Sequence, residues 1–254
     1  MQFPLTIPIG GMQLPLHAVL EAAAFFTGFR YYLHLRRKQG DVFSSESRMF
    51  IIIGAIFGAL LGSRIVGALE QPELWWQSAN PLLYLYANKT VLGGFLGGIA
   101  GVELAKKRMG ERRASGDLFV FPMILALCIG RLGCFSMGVY EETYGLPTQM
   151  PTGMNLGDGQ LRHPVALYEI LFLLLLWVLL RNVQQTTLLA NGALFKLFMV
   201  LYLVFRFQLD FIKPHYSYPI GLSAIQICSL LGLLYYAPFI VQPKKLLQPR
   251  YART

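Results

Sequence analysis

The chain has 254 residues, of which 55% are hydrophobic and only 14% charged, and its mean hydropathy is +0.49. Soluble globular chains carry about 25% charged residues, so this composition excludes an ordinary cytosolic enzyme, a disordered chain and a coiled coil. The formal net charge is +9. In so apolar a chain, a basic excess is typical of cytoplasmic loops under the positive-inside rule. The composition therefore indicates an integral membrane protein that binds no nucleic acid.

Seven apolar segments follow one another along the chain, and each approaches the roughly 20 residues that are needed to cross a bilayer. The predicted spans are 14–35, 49–69, 91–105, 117–135, 165–181, 192–212 and 219–241. The segment 91–105 is short and rich in glycine, so a re-entrant segment is the alternative there. No boundary divides the chain, and we predict an all-α fold, a single transmembrane helical domain over residues 1–254.

Basic residues are unevenly distributed between the two sets of loops that seven spans create. Fourteen lie in the loops after the first, third and fifth spans and in the C-terminal tail, where the tail includes Arg250 and Arg253. The alternate loops contain three, Lys89, Arg162 and Lys213. Because basic loops remain in the cytoplasm, the asymmetry predicts an N-terminus outside and a C-terminus in the cytoplasm.

Glycine recurs at every fourth position in the second and third spans. The two series are Gly54, Gly58 and Gly62 in one span and Gly93, Gly97 and Gly101 in the other, where Gly94 and Gly98 lie beside the series. Such spacing lets two helix backbones approach closely in lipid. We predict that these two helices pack against each other.

Ionisable side chains within spans are costly in lipid and are therefore functional candidates. On the predicted topology, seven of them lie at one level in the outer half of the membrane: Glu21, Arg64, Arg131, His163, Glu169, Arg206 and Asp210. One interpretation is structural ion pairing, such as Arg206 with Asp210 one helical turn away. We favour an anion site, because guanidinium binds phosphate bidentately and stays charged in apolar surroundings. An anionic phospholipid headgroup is the expected ligand.

The three cysteines are Cys128, Cys134 and Cys228, and all lie in apolar segments without CxxC spacing. This pattern predicts no metal site, and nothing else in the sequence indicates a cofactor. Cys134 follows Arg131 by three residues, where a thiolate would be stabilised and could act covalently. A small buried cysteine that fills space is the preferred interpretation.

Five short motifs surround the charged residues. In chain order they are Gly62-Ser63-Arg64, Gly93-Gly94, Gly130-Arg131-Leu132-Gly133-x-Phe135, Arg162-His163-Pro164-x-x-Leu167-Tyr168-Glu169 and Phe205-Arg206-Phe207-x-x-Asp210-Phe211. In this combination and order, the motifs resemble those of the prolipoprotein diacylglyceryl transferase family of bacteria. The resemblance extends over most of the chain, from about residue 50 to residue 235.

The resemblance implies a seven-helix enzyme of the bacterial inner membrane without a cofactor. Such an enzyme moves the diacylglyceryl group of phosphatidylglycerol to the lipobox cysteine thiol of a preprolipoprotein, and glycerol-1-phosphate leaves. The expected partners are thus phosphatidylglycerol and lipobox signal peptides. Arg131 and Arg206 match the essential arginines of the family, and we predict His163 and Glu169 as further catalytic residues. The implied substrate-binding residues are Arg64, Gly93, Gly94, Gly130, Gly133, Tyr168 and Asp210.

Several positions depart from the family pattern. Leu92 stands where the family has histidine, Cys134 and Met137 stand where it has asparagine, and Val139 replaces a glutamate, with Glu141 nearby. The general base is therefore open among His163, Glu169 and Glu21. Two alternative functions also remain open: a non-catalytic phospholipid-binding or accessory homologue, and a diacylglyceryl or headgroup transferase with a different acceptor.

Overall fold

The computed structural model describes residues 3–248 of the chain. The two ends of the predicted domain, residues 1–2 and 249–254, lie outside the described residues. Arg250 and Arg253 of the predicted cytoplasmic tail lie there as well.

Most of the described chain is helical. The helices are α1 (Leu16–Gln39), α2 (Ser45–Leu69), α3 (Pro72–Gln77), α4 (Pro81–Ala87), α5 (Val91–Arg108), α6 (Val120–Met137), α7 (Val165–Thr186), α8 (Ala193–Leu209) and α9 (Ala224–Val241). Each predicted span coincides with one long helix. The short helices α3 and α4 lie in the connection between the second and third predicted spans, and each begins at a proline, which suits the first turn of a helix.

Two small antiparallel hairpins depart from the all-α prediction. The paired strands are β1 (Thr6–Ile9) with β2 (Met12–Pro15), and β3 (Met154–Asn155) with β4 (Leu161–Arg162). Gly10 and Gly11 connect β1 to β2, and both have positive φ angles, which glycine adopts without strain. Because β2 leads directly into α1, the first long helix begins at Leu16 and not at residue 14.

Helix ends are set by local chemistry that hydropathy does not detect. The last helix begins at Ala224, five residues after the predicted start of the 219–241 span. Gly221 has a φ of +75°, and a capping box follows it. In that box, Ser223 Oγ accepts from the Gln226 N–H at 3.0 Å, and Gln226 Oε1 accepts from the Ser223 N–H at 2.9 Å.

Four helical segments of the described chain are long and apolar enough to cross a membrane: Ser45–Leu69, Asp117–Tyr140, Val165–Thr186 and Ala224–Val241. The surface of α2 that does not pack against other helices carries exposed apolar side chains, including Phe50, Ile53, Phe57 and Leu61. Such a face suits contact with lipid tails. The composition and these helices together make the chain a membrane protein.

The predicted packing of the glycine-rich helices is confirmed, because α2 and α5 lie against each other along their glycines. A Cβ atom on Gly58 would overlap the carbonyl oxygen of Gly97, and a Cβ on Gly97 would overlap that of Gly58. Gly93 meets the carbonyl oxygen of Gly62 in the same way. As an unbroken helix of 18 residues, α5 is about 27 Å long.

The apolar core lies between α5, α6, α7, α8 and α9. Its fully buried members include Leu92, Ile124, Leu173, Phe198 and Tyr202. The hydroxyl of Tyr202 is directed out of this core towards a group of charged side chains, so the core supports the polar site described next.

Candidate functional site

A buried carboxylate joins three helices at the centre of the site. Glu169 Oε2 on α7 lies 2.9 Å from Arg131 Nε on α6 and accepts from Arg206 Nη1 on α8 at 2.8 Å. The second oxygen, Oε1, accepts from the Tyr202 hydroxyl at 2.8 Å. Glu169 is only 1% exposed. The three-helix junction therefore fixes the carboxylate and both guanidinium groups.

The charges around this junction leave a positive surplus. A small cavity is lined by Arg131, Glu169, Arg206 and Lys213, together with Thr143 and apolar side chains. At the junction itself, Arg131 and Arg206 carry two positive charges and Glu169, which pairs with both, carries one negative charge, so the three groups sum to one positive charge. A buried uncompensated charge is costly. The charge of the junction is thus complementary to a group with a single negative charge, such as a phosphodiester.

Asp210 has a different partner from the one that an i,i+4 ion pair requires. Its carboxylate accepts a short hydrogen bond from the Ser223 hydroxyl at the start of α9. Within the described residues, Arg206 pairs with Glu169 and not with Asp210, so the ion-pair interpretation of Arg206 and Asp210 is wrong. Asp210 instead connects the end of α8 to the beginning of α9.

His163 and Tyr168 form a second polar group at the beginning of α7. His163 Nδ1 lies 3.3 Å from the Tyr168 hydroxyl, which lies 2.7 Å from Thr152 Oγ1. The neighbouring Arg162 lies outside the spans and pairs with Asp158 at 2.7 Å, and this guanidinium lowers the pKa of the Asp158 carboxyl below its ordinary value. The imidazole of His163 is therefore held at the start of α7 by its contact with Tyr168, which Thr152 contacts in turn.

Arg64 and Glu21 do not join the junction. Arg64 Nη1 lies 3.4 Å from the Asn88 carbonyl, and its guanidinium lies over the Tyr86 ring. Glu21 Oε1 accepts from Lys89 Nζ at 2.6 Å. The structure thus brings together two of the three predicted arginines and separates the third.

The candidate glycines have different surroundings. Gly93 packs tightly against α2, whereas a Cβ on Gly94 would make only ordinary contacts at 3.8 Å. Gly130 faces open space, and nothing lies within 4 Å of a Cβ built there. Gly133 meets α1, where a Cβ would lie 3.3 Å from His17 Nδ1. Gly130 alone among these four borders space that a ligand could occupy.

Sequence reasoning missed several polar residues of this region. Tyr202 lies one helical turn before Arg206, and this spacing could have predicted that both side chains lie on the same face of the helix. Lys213 follows α8 and was counted only as a loop charge. No spacing signals the group of His17, Cys134 and Glu141, which comes together only because α1 packs against α6.

Comparisons with known proteins match the chain almost throughout. The family described as prolipoprotein diacylglyceryl transferase matches residues 4–242. The chain belongs to this family. Curated relatives named phosphatidylglycerol–prolipoprotein diacylglyceryl transferase include one from Nitratidesulfovibrio vulgaris strain DP4, 32% identical over 83% of this chain and 81% of the relative. Another, from Bordetella parapertussis, is 31% identical over 84% of each chain.

The structure shows the surroundings of Leu92 and Cys134, two positions that depart from the motif pattern of the prolipoprotein diacylglyceryl transferase family. Leu92 is fully buried in the apolar core that includes Tyr202, so the residue has become part of the packing. Cys134 Sγ lies 3.6 Å from Arg131 Nη1 and contacts the junction directly. Arg131 thus has a thiol beside it, whereas Leu92 contributes only to the apolar core.

Proposed function

We propose that this protein transfers the diacylglyceryl group of phosphatidylglycerol to the thiol of a lipobox cysteine in a preprolipoprotein. One observation carries the proposal: the guanidinium groups of Arg131 and Arg206, both at least nine-tenths buried, converge on Glu169 with one positive charge in surplus. Family membership and the names of the relatives agree with this reaction.

The two arginines bind the phosphodiester and stabilise the leaving group. The acceptor sulfur attacks the glyceryl carbon that carries the phosphate, a C–S bond forms, and the C–O bond to phosphate breaks. The electron pair of that bond moves to the phosphate oxygen, and glycerol-1-phosphate leaves. Because charge develops on this oxygen, fixed guanidinium groups in a site shielded from water stabilise the transition state.

Glu169 acts in this scheme as a positioning residue. Both of its oxygens are occupied, one by the two arginines and the other by Tyr202. The two guanidinium groups and the Tyr202 hydroxyl stabilise the negative charge of this carboxylate, which makes it a poor proton acceptor for a substrate thiol. Its role is to fix the two guanidinium planes, which contact the phosphate directly.

His163 is the proton acceptor that we propose for the acceptor thiol. The side chain is half-buried at the beginning of α7, next to Pro164 and Val165, which line small cavities beside the junction. Tyr168 contacts Nδ1 and orients the ring, which leaves Nε2 to take the proton. A thiol must lose its proton to become an efficient nucleophile.

The proposal includes a topology with seven spans, an outer N-terminus and a cytoplasmic C-terminus in the bacterial inner membrane. Two observations support this topology: seven long helices within residues 3–248, and the fourteen basic residues of alternate loops and the C-terminal tail. On this topology, Arg131 and Arg206 lie in the outer halves of α6 and α8. Phosphatidylglycerol of the outer leaflet and a lipobox peptide can then both reach the site. Fusion of a reporter enzyme to each connection tests the orientation.

The experiment that tests the reaction uses purified full-length protein in nanodiscs that contain phosphatidylglycerol, with a synthetic lipobox peptide. We expect mass spectrometry to detect a diacylglyceryl adduct on the peptide cysteine. Arg131→Ala and Arg206→Ala should abolish the adduct, and the exposed Arg181→Ala is the matched control. Retained transfer by either site variant would remove the assignment of the arginines.

One observation favours a second candidate, a non-catalytic phospholipid-binding or accessory homologue. Leu92 provides no polar group where the family has histidine, and it is fully buried. This candidate predicts phosphatidylglycerol binding that depends on Arg131 and Arg206, without any adduct. A transferase with a different acceptor predicts an adduct on another nucleophile in a membrane extract and none on the peptide.

A further inference from the structure

Three side chains with metal-binding atoms meet beside the arginine junction. They are His17 on α1, Cys134 on α6 and Glu141 just after α6, and one ligand atom from each lies within 4.8 Å of the other two. Gly133 makes the meeting possible, because a Cβ there would lie only 3.3 Å from His17 Nδ1. The group is thus built by the packing of α1 on α6.

The polar atoms of this group lack complete partners. His17 Nδ1 and Glu141 Oε2 lie 3.1 Å apart, but both are buried and neither has a well-aligned hydrogen bond among residues 3–248. Buried polar atoms are normally hydrogen-bonded or bound to an ion. Two ligands of a tetrahedral zinc ion, each about 2.0–2.1 Å from the metal, lie about 3.3 Å apart. The observed separation matches that spacing.

The other nitrogen of His17 has the partner that metal-bound histidines usually have. His17 Nε2 lies 3.5 Å from Glu21 Oε2, and Lys89 donates to the other oxygen of Glu21 at 2.6 Å. A carboxylate behind the imidazole fixes the ring and its tautomer in metal sites. The ring of His17 is therefore held with Nδ1 directed at Cys134 and Glu141.

Cys134 supplies the third candidate ligand. Its side chain is 9% exposed, and Sγ lies 3.6 Å from Arg131 Nη1. A thiolate and the Glu141 carboxylate together neutralise a divalent ion.

We propose that His17, Cys134 and Glu141 bind a thiophilic divalent cation, of which Zn²⁺ is the representative. Imidazole, thiolate and carboxylate are zinc ligands, and three protein ligands leave the fourth tetrahedral position for an exogenous ligand, as in catalytic sites. A thiolate is a strong ligand for such an ion. The thiol acceptor of the proposed reaction is a ligand of this class.

The role of the ion in transfer rests on the proposed function. A cation held by His17, Cys134 and Glu141 would act as a Lewis acid towards the acceptor thiol: the S–H bond would break, the proton would move to His163, and the electron pair would stay on sulfur. The thiolate then forms the C–S bond as the C–O bond to phosphate breaks. This activation requires no histidine at the position of Leu92.

Metal binding by the purified full-length protein tests the site independently of transfer. After treatment with a chelator, the protein should bind one equivalent of Zn²⁺, and Co²⁺ should produce a thiolate-to-cobalt absorption band. Cys134→Ser should remove that band, and His17→Ala and Glu141→Gln should each weaken binding more than about 100-fold. Glu21→Gln should weaken it about 10- to 100-fold, as for partners behind a ligand. Cys228→Ser and Glu142→Gln are matched controls that should change neither property.

The outcomes separate the metal site from the transferase proposal. Failure of the wild-type protein to bind one equivalent, or a cobalt band that persists in Cys134→Ser, overturns the site. Transfer by a protein without bound ion overturns the site's role and leaves the function standing. Stoichiometric binding without an adduct on any lipobox peptide overturns the function and leaves the site standing. Transfer that is lost on chelation and restored by Zn²⁺ supports both.

Discussion

Glu169 Oε2 accepts a hydrogen bond of 2.8 Å from Arg206 Nη1, and the residues are 1% and 5% exposed, respectively. The pair joins α7 to α8, and Arg131 of α6 contacts the same carboxylate oxygen. Ion pairs this deeply buried are sensitive to the loss of one partner, because the remaining charge has neither solvent nor counterion. The geometry of the candidate site and the packing of three helices therefore depend on the same carboxylate.

Glu169→Gln should destabilise the protein and reduce transfer together. The amide keeps the shape of the side chain but leaves two buried guanidinium groups without an anion, a change that costs about 3–5 kcal/mol. Thermal unfolding in detergent and the rate of adduct formation measure the two effects. A variant with wild-type stability and transfer would contradict the central position of Glu169.

Tyr202→Phe tests the contact at the other carboxylate oxygen of Glu169, Oε1. It removes only the hydrogen bond from the hydroxyl to Glu169 Oε1, and hydrogen bonds to charged groups contribute about 1.5–3 kcal/mol. We expect lower stability with both ion pairs intact, and a smaller loss of transfer than in Glu169→Gln. Equal losses in the two variants would show that the tyrosine takes part in the chemistry itself.

Arg206→Lys should retain the positive charge but lose the planar, two-pronged arrangement of N–H donors. Lysine cannot present two parallel N–H groups to a phosphate or reach Glu169 with the same fork. Removal of one donor from a charge-stabilising site lowers kcat about 10²- to 10³-fold, and we expect a loss of this size in single-turnover transfer. Lys substitution at the exposed Arg181 provides the control, with no change expected.

The interhelical packing of α2 and α5 can be tested with two glycines of the same helix. Gly97→Leu should prevent correct folding or lower thermal stability strongly, because its side chain would enter the backbone of α2. Gly94→Ala should have little effect, because its nearest neighbours lie 3.8 Å away. Expression level and melting temperature in detergent distinguish the two. Similar behaviour of the two variants would show that close backbone contact is not what holds these helices together.

Structural features that follow from composition or from residue spacing could be predicted from the sequence. Features that depend on how helices pack against one another could not. Hydropathy located the seven long helices of the described chain, and the glycine period identified the contact between α2 and α5. The starts of α1 and α9 were set by a hairpin and a capping box, which hydropathy does not detect. The pairing of Glu169 with Arg131 and Arg206 depends on the rotation of three helices about their axes. No linear pattern contains that information, so Arg64 was grouped with the other arginines by depth alone.

A final prediction concerns the pH dependence of the loop between α1 and α2, outside the spans. Asp41 accepts from Arg48 Nε at 2.8 Å and from Arg36 Nε at 2.9 Å. Burial by itself would raise the pKa of the Asp41 carboxyl. The hydrogen bonds from Arg48 and the Phe43 N–H, with the charge of Arg36, outweigh burial and hold this pKa below its ordinary value.

A carboxyl whose pKa is lowered on folding stabilises the folded state above its unfolded pKa, about 3.9 for Asp, and this contribution is lost as pH falls through the folded value. Asp41→Asn should therefore lower the melting temperature at pH 7, and the difference from wild type should narrow as pH falls below about 4. Glu46→Gln, an exposed acid in the first turn of α2, is the control and should leave the wild-type profile unchanged. A difference between Asp41→Asn and wild type that is constant from pH 7 to pH 3 would show that packing, and not the charge of Asp41, holds this loop.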